Sequence, residues 1–136
     1  MFVIQDVLNT SVASSDRAIQ FIGAGRSVPR LEDMRPADVW MIAVPDAQIA
    51  FTAKQLARYF TGSQASIAFH CSGALAAGVM SPLQIAVCAI ASAHCILSFS
   101  APSSAVTQFA GTPCALEGDV KATQTLQAAF EAIGAN

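Results

Sequence analysis

Both histidines of the chain precede a cysteine, in the pairs His70-Cys71 and His94-Cys95. Histidine and cysteine are zinc ligands, but the spacing of these pairs matches no standard zinc pattern, so no metal site is predicted. His70 beside Cys71 also does not indicate a catalytic pair, because adjacent residues on a strand point to opposite faces. The alternative is that both histidines are structural, with their ring nitrogens hydrogen-bonded inside the protein.

Ser72 and Gly73 follow the first of these pairs. They do not form a nucleophile elbow, because His70 and Ala74 stand where that motif requires glycines. A turn of small residues that follows a strand leaves room for a ligand, so it is suited instead to line a pocket. Ser72, Gly73 and His94 are therefore the candidate lining of such a pocket, and His94 and Ser72 are the candidates for a catalytic role.

Two further polar groups follow apolar stretches, Asn9-Thr10-Ser11 and Pro45-Asp46. The hydroxyl groups of Thr10 and Ser11 could bind a phosphate group, and the alternative is a plain loop in which they bond to the main chain. Asp46 is predicted to cap a helix, to contact a ligand, or to do both.

Apolar strand patterns alternate with helical patterns along almost the whole chain. Strands are predicted at 2–8, 39–44, 66–70, 87–93 and 112–116. This alternation is typical of βαβ crossovers and predicts an α/β fold of three layers, α/β/α, with a mainly parallel sheet of about five strands. Ligands bind such sheets beyond the carboxyl ends of the strands, where the polar groups above are expected to lie.

Helix boundaries are predicted from capping residues. The N-cap candidates of the first helix lie within 14–16, and 61–63 are predicted to end the helix that begins near Asp46. A short helix is predicted over 75–83, and 117–119 are expected to cap the last helix.

The stretch FIGAG at 21–25 contains a Gly-x-Gly that could begin a phosphate-binding turn. Such a turn must follow a strand and open a helix, whereas here the glycines follow a helical pattern. Val28 also stands where the third glycine is required. Gly23 or Gly25 is therefore predicted to end a helix as a left-handed residue.

The composition excludes two classes of partner. Only 12% of residues are charged and the net charge is -2, so neither a nucleic acid nor an acidic membrane surface is expected. The apolar segment 82–99 could resemble a membrane span, but Pro82, Gln84 and His94 interrupt it. It is predicted to be the end of a helix followed by a buried strand.

The four cysteines lie in apolar stretches without a C-x-x-C spacing. They are Cys71, Cys88, Cys95 and Cys114. Reduced, buried thiols in a cytoplasmic protein are predicted, and a structural disulfide is the alternative.

A family resemblance is carried by three stretches: ADVWMIAVPD at 37–46, HCSGALAAGVMSPL at 70–83 and SAHCILSF at 92–99, with ALEGD at 115–119 behind them. They resemble the Rossmann-like domain of bacterial proteins assigned as NADP oxidoreductases, whose members carry a second, helical domain of unknown function. Pyrroline-5-carboxylate reductase and 6-phosphogluconate dehydrogenases are similar at a greater distance. The chain departs from the family at His94-Cys95, where the family has His-Pro.

The resemblance implies an NAD(P)-dependent oxidoreductase with NADP, or NAD, as cofactor. Hydride transfer mainly requires a dry pocket that positions a nicotinamide ring against a substrate, and under the resemblance Ser72, Gly73 and His94 would line it. Asn9-Thr10-Ser11 would match the turn that meets the adenosine ribose, and no acidic residue stands there to bind the 2′-hydroxyl, which favours NADP over NAD. The cofactor-binding residues that the resemblance implies, together with the positions above, are Asn9, Thr10, Ser11, Pro45, Asp46, Ser72 and Gly73. It makes Phe2–Leu8 a second strand, so residues 1–136 would be a single, partial domain that lacks the first βα unit and its glycine-rich turn. Such a chain is expected to bind cofactor weakly, to be inactive alone and to self-associate through unpaired strands. The alternative is a non-catalytic module that binds a nucleotide or a protein.

Overall fold

The computed structural model describes residues 2–60, 66–86 and 88–136. These form two compact units, Met1–Ala37 and Asp38–Asn136, which are considered separately below. The expectation of a single domain stays a prediction. The predicted α/β class with mainly parallel strands is confirmed, but one sheet of about five strands is wrong, because the described strands form a two-stranded and a four-stranded sheet.

The first unit contains a small parallel βαβ arrangement. Strand β1 (Asp6–Val7) pairs with β2 (Arg26–Ser27), and helix α1 (Val12–Ile22) lies between them in the chain. The strand predicted over 2–8 is therefore much shorter. Strand β2 is not predicted, because two residues beside glycines carry no recognisable strand pattern.

The ends of α1 follow from capping. The Ser11 side chain accepts a hydrogen bond from the Ser14 main-chain N–H at 3.2 Å, so Ser11 is the N-cap and the prediction of a cap within 14–16 is wrong. At the other end Gly23 adopts a left-handed φ of 79° and its N–H donates to the Ile19 carbonyl oxygen. This confirms that FIGAG closes a helix.

A buried carboxylate links the segments of the first unit. Asp6 accepts hydrogen bonds from Arg26 Nε at 3.2 Å and from Arg35 Nη2 at 2.6 Å, and its side chain is only 2% exposed. The Arg35 main-chain N–H donates to the same carboxylate at 2.8 Å. The hydrogen bonds from Arg35 hold the pKa of Asp6 far below its ordinary value, and the Arg26 guanidinium adds to this.

The second unit is built on a four-stranded sheet in the order β3-β4-β5-β6. Strands β3 (Val39–Ile42), β4 (Ile67–His70) and β5 (Ala89–Cys95) are parallel. Strand β6 (Cys114–Gly118) runs antiparallel to β5. The helices of this unit are α2 (Asp46–Ala57), α3 (Ser81–Ile85), α4 (Pro102–Gln108) and α5 (Val120–Ala132).

Both faces of this sheet are covered. Side chains at alternate strand positions, among them Phe69 and Ala93, form one apolar cluster with Ala122 and Leu126 of α5. The helices α2 and α3 contact each other as well as the sheet. Their inward side chains, such as Ile49 and the neighbouring Met80, are almost fully buried. Helix, sheet and helix therefore form the three predicted layers in this unit.

Several predicted boundaries in the second unit are wrong. The helix expected over 75–83 is divided into a 3-10 turn, Ala77–Met80, and α3. Of the residues expected to cap α5, only Asp119 occupies the N-cap position, and its side chain makes no capping hydrogen bond. Glu117 and Gly118 are the last residues of β6. The predicted helix stop at 61–63 and the first residue of the strand predicted over 87–93 lie outside the described residues.

Asp46 is not the N-cap of α2. Pro45 occupies that position, and Asp46 is the first helical residue, without a side-chain capping hydrogen bond. The polar group that follows β3 therefore begins a helix, but the helix is not capped by the predicted side chain.

Two cysteines form a disulfide, which corrects the expectation of four reduced thiols. Cys95 of β5 and Cys114 of β6 are register partners and are joined by a disulfide bond, with their Cα atoms 4.1 Å apart. The sequence does not reveal this pair because it depends on the antiparallel direction of β6. Cys71 and Cys88 are free, and desolvation raises the pKa of both thiols to about 11, so both are protonated at neutral pH.

Reduction of the Cys95–Cys114 disulfide is expected to lower the free energy of unfolding by about 3 kcal/mol, because the bond closes a loop spanning 19 residues in the unfolded chain. Urea unfolding with and without dithiothreitol measures this difference. The Cys71→Ala variant keeps the bond and should show the same difference. Equal unfolding midpoints for the unchanged chain in the two conditions would contradict the prediction.

The apolar segment 82–99 contains the end of α3 and the strand β5, as predicted. Among the described residues, no helix combines the length and the hydropathy needed to cross a membrane.

Candidate functional site

A cavity of about 420 Å³ lies at the carboxyl end of the parallel strands of the second unit. It is lined by the loop 72–76 that follows β4, by Ser92 and His94 of β5, and by residues 115–117 of β6. This is the edge at which parallel sheets bind ligands. Three of the predicted site residues, Ser72, Gly73 and His94, are thus brought together as expected.

His70 holds the loop and is itself fully buried. Its Nδ1 accepts the Ser72 main-chain N–H at 3.1 Å, and its Nε2 lies 3.2 Å from the Ala76 carbonyl oxygen. The ring therefore carries its proton on Nε2, which donates to Ala76. Because both ring nitrogens are used, His70 is a structural histidine that fixes the two ends of the loop.

Further hydrogen bonds fix the loop from other directions. Ser72 Oγ accepts the main-chain N–H groups of Ala74 and Leu75, at 3.1 and 3.2 Å. The Glu117 carboxylate of β6 accepts the Ala77 N–H at 2.7 Å. The Ser72 hydroxyl is therefore occupied as an acceptor within its own turn. The cavity wall is formed in advance by these contacts.

Gly73 and His94 pack directly against each other. A Cβ atom added to Gly73 would lie 2.6–2.9 Å from three atoms of the His94 imidazole ring, closer than side-chain carbons approach other atoms. The missing side chain of Gly73 is thus the space that the ring occupies. Any larger residue at this position must displace His94 from the cavity wall.

Two polar residues that line this cavity, Ser92 and Glu117, are not among the site residues predicted from the sequence. Register pairs place His70, Ser92 and Glu117 side by side on three neighbouring strands. The alternation of Ser92 and His94 along one strand is a sequence signal that could have identified Ser92. Glu117 could not be placed, since its position depends on the direction and register of β6.

The remaining predicted site residues do not line this cavity. Pro45 and Asp46 lie beyond the carboxyl end of β3 but outside the cavity lining. In the first unit, the Asn9 N–H donates to Ser15 Oγ at 2.8 Å, while Ser11 caps α1. These are local capping contacts, and a ribose-binding role for Asn9, Thr10 and Ser11 stays a prediction.

The described residues contain no group of three or more His, Cys, Asp or Glu side chains arranged to hold a metal ion. Cys71 beside the loop is a thiol at neutral pH, because desolvation raises its pKa to about 11. The chemistry available at the cavity is therefore hydrogen bonding by serine, imidazole and one carboxylate, in a preformed wall.

A family model described as a Rossmann-like domain matches residues 1–95. No curated protein matches the chain. The solved structures described below share less than 25% sequence identity with the chain, and at that level the likeness establishes the fold.

Three solved structures illustrate the likeness. A protein assigned as an NADP oxidoreductase from Bacteroides fragilis has 16% identity and a TM-score of 0.76, covering 98% of this chain and 49% of that one. Pyrroline-5-carboxylate reductase from Coxiella burnetii has 16% identity and a TM-score of 0.69, covering 96% and 46%. Prephenate dehydrogenase from Aquifex aeolicus, in complex with hydroxyphenyl propionate and NAD+, has 14% identity and a TM-score of 0.68, covering 96% and 48%. The chain spans about half the length of these proteins.

Proposed function

The chain belongs to the Rossmann-like domain family, and from that premise we propose that it is the nicotinamide-binding part of an NAD(P)-dependent oxidoreductase. The cavity beside Gly73 and His94 is the proposed site of the nicotinamide ring. The likeness to an assigned NADP oxidoreductase and to a dehydrogenase in complex with NAD+ supports the cofactor class.

The single observation that carries this proposal is the preformed loop 72–76 at the carboxyl end of β4. Its turn is fixed by His70, and Gly73 of the loop packs directly against the His94 ring of β5. A volume of about 420 Å³ is within the range of small-molecule sites. Small side chains, two serines and an imidazole are among the lining residues, so the residues present are compatible with a nicotinamide.

The roles of the cavity residues follow from their contacts. A bound nicotinamide would supply the hydride chemistry. The His94 ring and Gly73 would orient the ligand by shape, and Ser92, whose hydroxyl donates to the Ser72 carbonyl oxygen at 3.4 Å, would hold the loop against the strand. His94 is the candidate for moving a proton, because it is the imidazole that lines the cavity while His70 uses both nitrogens elsewhere.

We further propose that NADP binds this chain weakly, with a dissociation constant on the order of 1 mM. The sequence holds no complete G-x-G-x-x-G, whose main-chain N–H groups and helix N-terminus would bind the pyrophosphate. Thr10 and Ser11 are proposed to contact a ribose phosphate, and Asn9, Pro45 and Asp46 to contact the cofactor near it. No turnover is expected from the chain alone.

Gly73→Ala is expected to abolish the NMR signal shifts that NADP+ produces in the residues lining the cavity. In the unchanged chain, millimolar NADP+ should shift the NMR signals of residues 72–76 and of the His94 ring. The added Cβ would meet the His94 ring at less than 3 Å and displace it, which changes the lining of the cavity. The loss should exceed tenfold in apparent affinity, about 1.4 kcal/mol or more.

Gly78→Ala is the matched control, because a Cβ at Gly78 meets no atom within 4 Å. It should leave the NADP+ titration unchanged. If NADP+ shifts no signal of the loop in the unchanged chain, the nicotinamide proposal is wrong. The alternative of a non-catalytic interaction module is then favoured.

A further inference from the structure

Glu117 gives the cavity a formal negative charge. Among the described residues that line it, Glu117 is the only carboxylate, and none is a lysine or arginine. The ion pairs of the described chain involve other residues, so no cationic side chain neutralises this carboxylate. A ligand in the cavity therefore meets one uncompensated negative group.

The position of this charge is fixed. Glu117 Oε2 accepts the Ala77 N–H at 2.7 Å, a contact between residues 40 positions apart in the chain. In the described structure Oε1 accepts no hydrogen bond, and the residue is exposed. Strand β6 carries the residue beside Ser92 of β5, on the same sheet face as His94. One oxygen thus anchors the carboxylate while the other is available to a ligand.

We propose that Glu117 makes this cavity selective for a positively charged nitrogen, with the oxidised nicotinamide ring as its ligand. This inference rests on the proposed function and deepens it. The oxidised ring is a pyridinium cation and the reduced ring is neutral, so a fixed carboxylate distinguishes the two by charge. The same carboxylate disfavours ligands that bring a second carboxylate close to it.

The expected selectivity is modest, because the carboxylate is exposed and water screens it. Exposed ion pairs correspond to about a two- to fivefold change in affinity. Salt should reduce this preference, since the Debye length falls from about 10 Å at 0.1 M to about 3 Å at 1 M.

The test uses two small probes that differ in charge, 1-methylnicotinamide, a cation, and nicotinamide, which is neutral. NMR titration of the unchanged chain, followed at the signals of 72–76 and of the His94 ring, should show about two- to fivefold tighter binding of the cation. In Glu117→Gln the two probes should bind equally. Gln keeps an oxygen that can accept the Ala77 N–H, so this variant removes the charge and retains the anchor.

Two controls keep the test decisive. Glu131→Gln removes a carboxylate that does not line this cavity and should preserve the preference. The unchanged chain in 1 M salt should lose most of the preference, which tests the charge without any substitution. Equal binding of both probes to the unchanged chain, or a preference that survives in Glu117→Gln, would overturn the inference.

The outcome for the charge is separable from the outcome for the function. If NADP+ shifts the loop signals but the two probes bind equally, the nicotinamide site stands and the charge selectivity is wrong. If the cation is preferred through Glu117 but NADP+ has no effect, the cavity is a cation site and the proposed function is wrong.

Discussion

Gly118→Ala is expected to unfold the four-stranded sheet, with a loss of at least about 3 kcal/mol in the free energy of unfolding. Gly118 ends β6 opposite Ala91, with a φ of 133° that L residues rarely adopt. An added Cβ would collide with the Ile90 carbonyl oxygen and lie 2.7 Å from the Ala91 Cα. Both are main-chain atoms of the adjacent strand, so no side chain can rotate to relieve the overlap.

The neighbouring hydrogen bonds prevent the strands from separating. The Asp119 N–H donates to the Ile90 carbonyl oxygen at 2.9 Å, and the Ile90 N–H donates to Asp119 Oδ2 at 2.8 Å. Moving β6 away from β5 to accommodate a methyl group would break this reciprocal pair. The substitution therefore lowers the free energy of unfolding in either case, through steric overlap if the strands stay in place or through the loss of two hydrogen bonds if they separate.

Urea unfolding of Gly118→Ala is compared with that of Gly111→Ala. Gly111 also has a left-handed φ, 79°, but a Cβ there meets nothing within 4 Å. Its substitution isolates the backbone cost, about 1–2 kcal/mol. If Gly118→Ala is no more destabilising than Gly111→Ala, the steric argument fails.

Asp6→Asn is expected to open the first unit locally, with a loss of about 2–4 kcal/mol in its local unfolding free energy. The carboxylate accepts charge-assisted hydrogen bonds from both Arg26 and Arg35. Asparagine offers one oxygen and turns an NH2 group toward arginine donors, so at least one bond is lost. Hydrogen exchange of the Arg26 and Val28 amides, which bond to the Gln5 and Val7 carbonyl oxygens, measures the opening.

The same carboxylate predicts a dependence on pH. The pKa of Asp6 is lowered in the folded unit, so its contribution is complete above the unfolded value, near 4. It declines as the pH falls below that value toward the folded one. Exchange protection in 6–28 should therefore weaken at acidic pH in the unchanged chain and much less in Asp6→Asn.

Asp33→Asn is the control for this prediction. Asp33 pairs with Arg30 at 3.0 Å in the same unit, and its side chain is 32% exposed, against 2% for Asp6. Its removal should cost no more than about 1 kcal/mol. A loss in Asp33→Asn as large as that in Asp6→Asn would show that the buried geometry of Asp6 has no special effect.

The sequence predicts the alternation of strands and helices because parallel strands give continuous apolar runs, as at 39–44. The run at 39–44 nevertheless forms an edge strand in which Met41 is 58% exposed, whereas β4 is buried throughout. It also predicts the association of Ser72, Gly73 and His94, since the carboxyl ends of parallel strands share an edge. These inferences require only the order and direction of strands that local patterns reveal.

Most of the structural features that the sequence does not predict depend on pairing between segments that are distant in the chain. Glu117 and the Cys95–Cys114 bond depend on β6 running antiparallel in one register, which no local pattern at 112–118 specifies. The role of Ser11 as a cap was missed because several neighbouring hydroxyl residues fit the same preference. Strand β2 is two residues long and pairs with β1 through main-chain hydrogen bonds to a segment 20 residues earlier in the chain, which no local pattern reveals.

The disulfide between β5 and β6 also determines which residues a ligand meets. The pair Cys95–Cys114 lies on the α5 side of the sheet, one step from the pair His94–Ala115 on the cavity side. A shift of β6 by one residue would turn Glu117 toward α5 and bring Leu116 or Gly118 into its place. Cys114 would then face away from Cys95, so the bond could not form. The disulfide can therefore form only in chains with the correct alignment of β6. Once formed, it stabilises that alignment relative to the shifted ones.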